Sequence, residues 1–270
     1  VGINLLCLVP GVVGGTEAYA AGSPARPRQR GRDAPAPIVR RILLLNQVAS
    51  PLFTELAEAV ASGCAAQCIL ITGDAGSDRQ HAEAAGVRIV SARRYSRASM
   101  AARLASWLAY ALRAAVELAR WHRNSLAIVS TNPPVLPALV WLVSRLVGLR
   151  YVVVVYDLYP EVLVASGRLT ADGLAARLWR WANRHAAAAA EGVVTIGRLM
   201  AVRLAAAWRP ECTPLGEVRV LPPWVDTEAI RPLDRDSSLL AERLGLRGRH
   251  VVLCAGNRGL SQDTDSRLAA

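Results

Sequence analysis

The residues of this chain best suited to chemistry stand in a few short clusters. The densest is Tyr156, Asp157, Leu158, Tyr159, Pro160 and Glu161, where two carboxylates and two tyrosines crowd around a proline. Directly before it come Tyr151, Val152, Val153, Val154 and Val155, a β-branched run that reads as a strand buried on both faces of a parallel sheet. Open α/β sheets bind ligands just outside the carboxyl ends of their strands, so polar groups concentrated there are candidates for ligand contact. A structural alternative stays open: Asp157 as the cap of the next helix, with Glu161 on its first turn.

Two further clusters repeat that arrangement. Asn46 and Gln47 end the apolar run Ile42, Leu43, Leu44, Leu45, and Thr131, Asn132, Pro133 and Pro134 follow residues 126–130. Near the end of the sequence, residues 250–254 read as a strand that delivers Gly256, Asn257, Arg258 and Gly259 to a turn, with an arginine able to contact phosphate. Residues 1–9 read as another strand, followed by a loop carrying Gly11, Gly14 and Gly15 and a helix start at Thr16 and Glu17. That arrangement lets backbone N–H groups face a phosphate.

The elements that must position these clusters alternate regularly. Strand signals recur at residues 41–45, 67–72, 87–90, 126–130, 151–156, 193–196 and 218–221, with helical segments between most of them. Such alternation predicts a doubly wound parallel sheet. Pro51 opens a helix whose apolar stripe is Leu52, Leu56, Ala59 and Val60. Residues 134–149 are almost wholly apolar but fall short of the roughly 20 needed to span a bilayer, so they read as a core helix. Residues 97–120 mix leucines, Trp107 and Tyr110 with arginines, and Arg177, Arg180 and Arg184 recur at helical spacing beside Trp179 and Trp181. Arginine with tryptophan on an amphipathic helix suits an anionic membrane interface; an ordinary solvated face over a core stripe is the alternative.

A chain of 270 residues with 53% hydrophobic residues can fill a real core and is not disordered. Its formal net charge of +11 favours an anionic partner, and all 32 Lys and Arg residues are arginine. The arginines are dispersed and no recognition motif accompanies them, which argues against nucleic acid as the partner. Cys7, Cys64, Cys68, Cys212 and Cys254 are scattered and lack the spacing of a zinc site, so they read as reduced thiols of a cytosolic protein. The first twenty residues lack a basic leader and do not resemble a secretion signal.

Taken in order, Asn46 and Gln47, then residues 131–134, 157–161, 221–232 and 255–259 resemble the motifs of bacterial family-4 glycosyltransferases. The resemblance runs over roughly residues 40–260 and leans towards the branch that assembles surface polysaccharides such as colanic acid and O-antigen. It implies a GT-B architecture of two Rossmann-like domains, the first binding acceptor and the second binding nucleotide-sugar. No metal and no cofactor beyond the nucleotide-sugar donor is implied. Asp157 and Glu161 become the catalytic candidates, and Asn46, Gln47, Asn132 and Tyr156 the acceptor-binding ones. Gly256, Asn257, Arg258 and Gly259 match the loop that contacts the donor's phosphates. The partners implied are a nucleotide-sugar and a lipid-linked saccharide at the cytoplasmic face of a membrane.

The departures from that pattern shape the expected organisation. Many relatives have histidine where this chain has Tyr156, and often serine in place of Gly197. The expected layout is an extra strand-loop segment over residues 1–21, taken as a fused or misassigned start, and a flexible Pro/Arg linker over 22–39. An acceptor-binding Rossmann-like domain follows over 40–221, an interdomain crossing over 222–248 and the start of a donor-binding domain over 249–270. With the remaining donor-domain strands absent from the sequence, the chain alone is expected to be weak or inactive, or to need a partner chain that supplies them. A noncatalytic acceptor-binding module is the first alternative, and nonspecific nucleic-acid binding through the arginine excess is the second.

Overall fold

A computed structural model describes residues 39–208, 218–225, 227–228, 230–232 and 238–253. The chain divides into two compact units, Val1–Pro222 and Pro223–Ala270. In the first, seven strands form one all-parallel sheet: β1 (Arg41–Leu45), β2 (Gln67–Thr72), β3 (Arg88–Ser91), β4 (Ser125–Ser130), β5 (Arg150–Val155), β6 (Gly192–Thr195) and β7 (Val218–Val220). Their order is β3-β2-β1-β4-β5-β6-β7. The chain thus steps outward from β1 to β3, returns to the other side of β1 and steps outward again. The reversal falls between β1 and β4, the position where doubly wound sheets leave a crevice.

The central strands are buried on both faces because helices cover both. In β1, Ile42 to Leu45 are all buried, and in β5 so are Tyr151 to Val155. Helix α1 (Pro51–Gly63) starts with proline at its first position, where no N–H is needed, and turns Phe53, Leu56, Ala57 and Val60 inward. A short 3₁₀ turn and α2 (Arg79–Ala84) lead to β3. Helices α3 (Met100–Trp121), α4 (Leu136–Val147), α6 (Leu174–Ala189) and α7 (Arg198–Trp208) pack as successive neighbours. They enclose a core of Leu43, Leu45, Ile69, Ile71, Val129, Val153 and Val155 with Tyr110, Leu118, Val140 and Leu204. The short helix α5 (Glu161–Ala165) precedes α6.

Several boundaries differ from the sequence expectation. Helix α3 begins at Met100, because the Ser99 hydroxyl accepts a hydrogen bond from the Ala102 N–H at 3.1 Å and caps it; Arg97 therefore lies in the preceding segment. In the second unit, α8 (Leu239–Arg243) is capped by Ser238 and ends before Gly245, whose φ of 63° stops the helix. Residues 250–253, expected as a strand, pair with no described strand, so they have no ladder to hold them extended. Cys254 and the turn Gly256, Asn257, Arg258 and Gly259 lie outside the described residues, as do residues 1–38.

Candidate functional site

The site is built where the sheet reverses. Asn46 and Gln47 leave β1, Thr131 and Asn132 leave β4, and Tyr156 and Asp157 leave β5. Parallel pairing in register makes these six residues neighbours at one edge. Backbone bonds lock the edge together: the Gln47 N–H donates to the Asn132 carbonyl at 2.9 Å, and the Thr131 N–H to the Val154 carbonyl at 3.2 Å.

Thr131 is the organising residue, and its role was not evident in the sequence. Its buried hydroxyl accepts from the N–H groups of both Tyr156 and Asp157, at 3.1 and 3.3 Å. A threonine at the end of one strand thereby sets the path of the chain leaving the next. Asn132 is half-buried and precedes a cis Pro133; its own N–H is taken up by Ser130 Oγ at 3.2 Å. The Tyr156 ring meets Phe53 of α1 edge to face at 6.5 Å, and burial pushes its phenol up to about 12.

The carboxylates occupy different settings. Asp157 is exposed, and its carboxylate has no hydrogen-bond or ion-pair partner among the described residues. The protein atoms around it nonetheless desolvate the carboxyl and raise it above the ordinary carboxylate range. The residue at the cap position of α5 is Pro160, so Asp157 does not cap that helix. Glu161 stands in the first turn of α5, its Oε1 accepting from Arg180 Nε of α6 at 3.0 Å, while its Oε2 is buried without a partner.

Asn46 and Gln47 face inward. Gln47 is fully buried, and its Nε2 donates to the carbonyls of Arg93 and Ser106 at 3.2 and 3.0 Å. Asn46 is 4% exposed and spends its Oδ1 on the Val48 N–H at 3.2 Å. The Gln47 amide ties the end of β1 to Arg93 and to Ser106 of α3, and the Asn46 amide is spent on the local turn, so neither presents itself at the surface.

The segment between β3 and α3 and the first turn of α3 bring two further cations to the site. The guanidiniums of Arg97 and Arg103 lie 5.8 and 5.9 Å from the centre of the Tyr95 ring, and neither has a carboxylate partner among the described residues. Arg103 Nε is buried and unpartnered. Burial is the main cause that raises the Tyr159 phenol; Asp157 and Tyr95 add to it and Arg103 opposes it, so these groups share one neighbourhood. The run Arg93, Arg94, Tyr95, Ser96, Arg97 was the available signal, an aromatic interleaved with cations after a strand. Tyr159 stacks on Trp179 at 5.8 Å, and its carbonyl accepts from Asn183 Nδ2 at 2.7 Å, which holds the loop against α6. Among the described residues, no group of three His, Cys, Asp or Glu stands together to hold a metal.

Comparison with known proteins matches this frame. The Glycosyl transferase 4-like domain profile matches residues 49–224. WbjE of Pseudomonas aeruginosa, a probable glycosyltransferase, is 26% identical over 151 residues, which cover 56% of this chain and 37% of WbjE. The crystal structure of Anabaena HepE in complex with UDP-glucose shares the fold with a TM-score of 0.50 at 14% identity, over 77% of this chain and 50% of HepE. The chain thus spans half or less of the length of these relatives. With the match running from the end of β1 through β7, the chain belongs to the Glycosyl transferase 4-like domain family.

Proposed function

We propose that this chain supplies the acceptor-binding side of a glycosyltransferase that moves a sugar from a nucleotide-sugar to a lipid-linked saccharide of a cell-surface polysaccharide. The observation that carries the reading is Asp157: an exposed, unpartnered carboxylate beside the topological switch, in surroundings that desolvate it. In such a reaction an acceptor hydroxyl oxygen bonds to the anomeric carbon while the bond from that carbon to the nucleoside diphosphate oxygen breaks. Asp157 orients the hydroxyl and accepts its proton as the new bond forms, and Asn132 holds a neighbouring sugar hydroxyl. Glu161, through its pair with Arg180, steadies the loop that carries Asp157. Names borne by relatives support the donor class: HepE was crystallised with UDP-glucose, and WbjE is a probable glycosyltransferase.

A second reading is a noncatalytic acceptor module that depends on another polypeptide for donor binding. The test is calorimetric titration with a lipid-diphosphate-linked saccharide, followed by a radiolabelled transfer assay with and without an added donor-binding domain. Asp157→Asn is expected to weaken acceptor binding about tenfold or more, the loss of a hydrogen bond to a charged group. Unchanged acceptor affinity in Asp157→Asn would sink the assignment. Transfer that appears only with the added domain selects the second reading.

A further inference from the structure

The outer surface of the helices beside this site is arranged contrary to what water requires. In α3, Met100, Leu104, Leu108, Leu112 and Val116 recur every fourth residue, and each is more than half exposed. The other exposed residues of that helix are alanines, Arg113 and Arg120. A surface helix of a soluble domain ordinarily turns its apolar stripe inward and its charges outward. Here the inward face is already occupied by Tyr110, Ala114 and Leu118, so the exposed stripe is a second apolar face without a cover among the described residues. The neighbouring helices extend it, with Leu142 and Leu146 on α4, and Leu174, Leu178 and Trp181 on α6, all exposed. A shallow groove of about 580 Å³ runs along that face of α6, lined by Leu174, Arg177, Leu178, Arg180, Trp181 and Arg184.

The charge on these helices has one sign. Three arginines stand in α3, one in α4, three in α6 and two in α7, against a single acid, Glu117. That acid is buried and paired with Arg113 at 2.8 Å. We propose that the face formed by α3, α4 and α6 docks on an anionic lipid bilayer. Leucines and Trp181 enter the headgroup layer while arginines at their margins pair with lipid phosphates, keeping their aliphatic stems in the apolar zone. A second copy of this chain is a poor occupant, because two such faces would bring arginines against arginines. No helix among the described residues is long and apolar enough to cross a membrane, so contact is made in the interfacial plane.

The stripe also points at the candidate site. It starts at Met100, directly after the segment carrying Tyr95 and Arg97, and Arg103 in the first turn of α3 flanks Tyr95 from the other side, near Tyr159. A saccharide carried on a membrane lipid would leave the bilayer at that end. The docking itself stands on the surface alone; only this orientation rests on the proposed acceptor.

The test is flotation of the whole chain with vesicles of phosphatidylcholine, with and without phosphatidylglycerol, together with sedimentation velocity in the absence of lipid. The expected result is partitioning that rises about fivefold for each arginine engaged when anionic lipid is present. The exposed triple variant Leu104→Gln, Leu108→Gln, Leu112→Gln should reduce it about a hundredfold while melting like the parent. Arg145→Gln with Arg177→Gln should reduce only the anionic component. Absence of vesicle binding, equal binding to both compositions, or binding unchanged in the triple variant overturns the proposal. A dimer that the triple variant dissolves, without lipid binding, assigns the face to a second copy instead. Asp157→Asn separates the two readings: it should lose acceptor affinity and keep vesicle binding, so failure of either is visible without the other.

Discussion

Desolvation without a partner makes Asp157 costly to the fold as well as available to a ligand. Its folded pKa lies above the ordinary 3.8, so its contribution to stability is fully present below that pH and is lost as pH rises through the folded value. At neutral pH the ionised carboxylate therefore weakens the fold. Asp157→Asn, close in shape to the protonated acid, should melt higher than the parent at pH 7, and the two curves should converge below pH 3.8. Because the side chain is exposed, water screens much of the effect and the gain is small. Thermal melts across that range check it; an Asn variant that melts lower at pH 7 would mean that the carboxylate has a stabilising partner. A substitution that stabilises the fold while weakening acceptor binding is the pattern expected of a residue kept for function. Cys68 is a contrast at the same scale. Burial, with a smaller contribution from Cys64, pushes its thiol up to about 12, and it donates to the Ala57 carbonyl at 3.4 Å, as a buried structural cysteine does.

Among the elements, the segment between β3 and α3 governs how well the edge of the sheet is formed. Gly73, at the end of β2, lies so close to it that a Cβ there would stand 2.3 Å from the Arg93 carbonyl oxygen. The contact is with backbone, which cannot rotate away. Gly73→Ala should therefore cost about 1–3 kcal/mol and displace the segment that Gln47 clamps through Arg93 and Ser106. Denaturant melts give the first quantity, and faster amide exchange over residues 92–99 gives the second; a melt equal to the parent would show that the segment yields freely. This is also where the sequence was least legible. The strands of the sheet could be read to within a residue or so, because buried parallel strands are continuous β-branched and aliphatic runs, as in β1 and β5, whereas residues 250–253 read as a strand and pair with none described. The carboxyl ends of β1, β4 and β5 were legible for the same reason. The direction of the amides at Asn46 and Gln47 was not, because Gln47 is buried by partners 46 and 59 residues further on. Thr131 was overlooked as an organiser because a single threonine after a strand has no pattern, and its role exists only once β4 and β5 are in register. The outward leucines of α3 stay open between a membrane face and a core stripe in the sequence, since spacing cannot say which of two apolar faces meets the sheet.

For the whole molecule, the arginine excess admits two anionic partners that differ in how their binding responds to salt. Attraction to nucleic acid is dominated by release of condensed counterions, so its logarithm falls with a slope of about −0.9 for each phosphate neutralised. A chain of net charge +11 should accordingly be held by duplex DNA in dilute buffer, whatever its function. No base-reading motif accompanies the arginines, and many are already engaged: Arg150 with Glu191, Arg180 with Glu161, and Arg113 with Glu117. Retention on DNA should therefore disappear by about 0.2 M salt, the range over which a contact made of phosphates alone loses most of its affinity. Binding to anionic vesicles should weaken over the same range but level off, because insertion of Leu104, Leu108, Leu112 and Trp181 buries apolar area that salt does not screen. Parallel salt titrations of DNA retention and vesicle flotation make the comparison. DNA retention that outlasts vesicle binding would make nucleic acid the preferred anionic partner. A plateau in flotation that vanishes in the leucine triple variant would assign the salt-resistant part to the apolar face of α3.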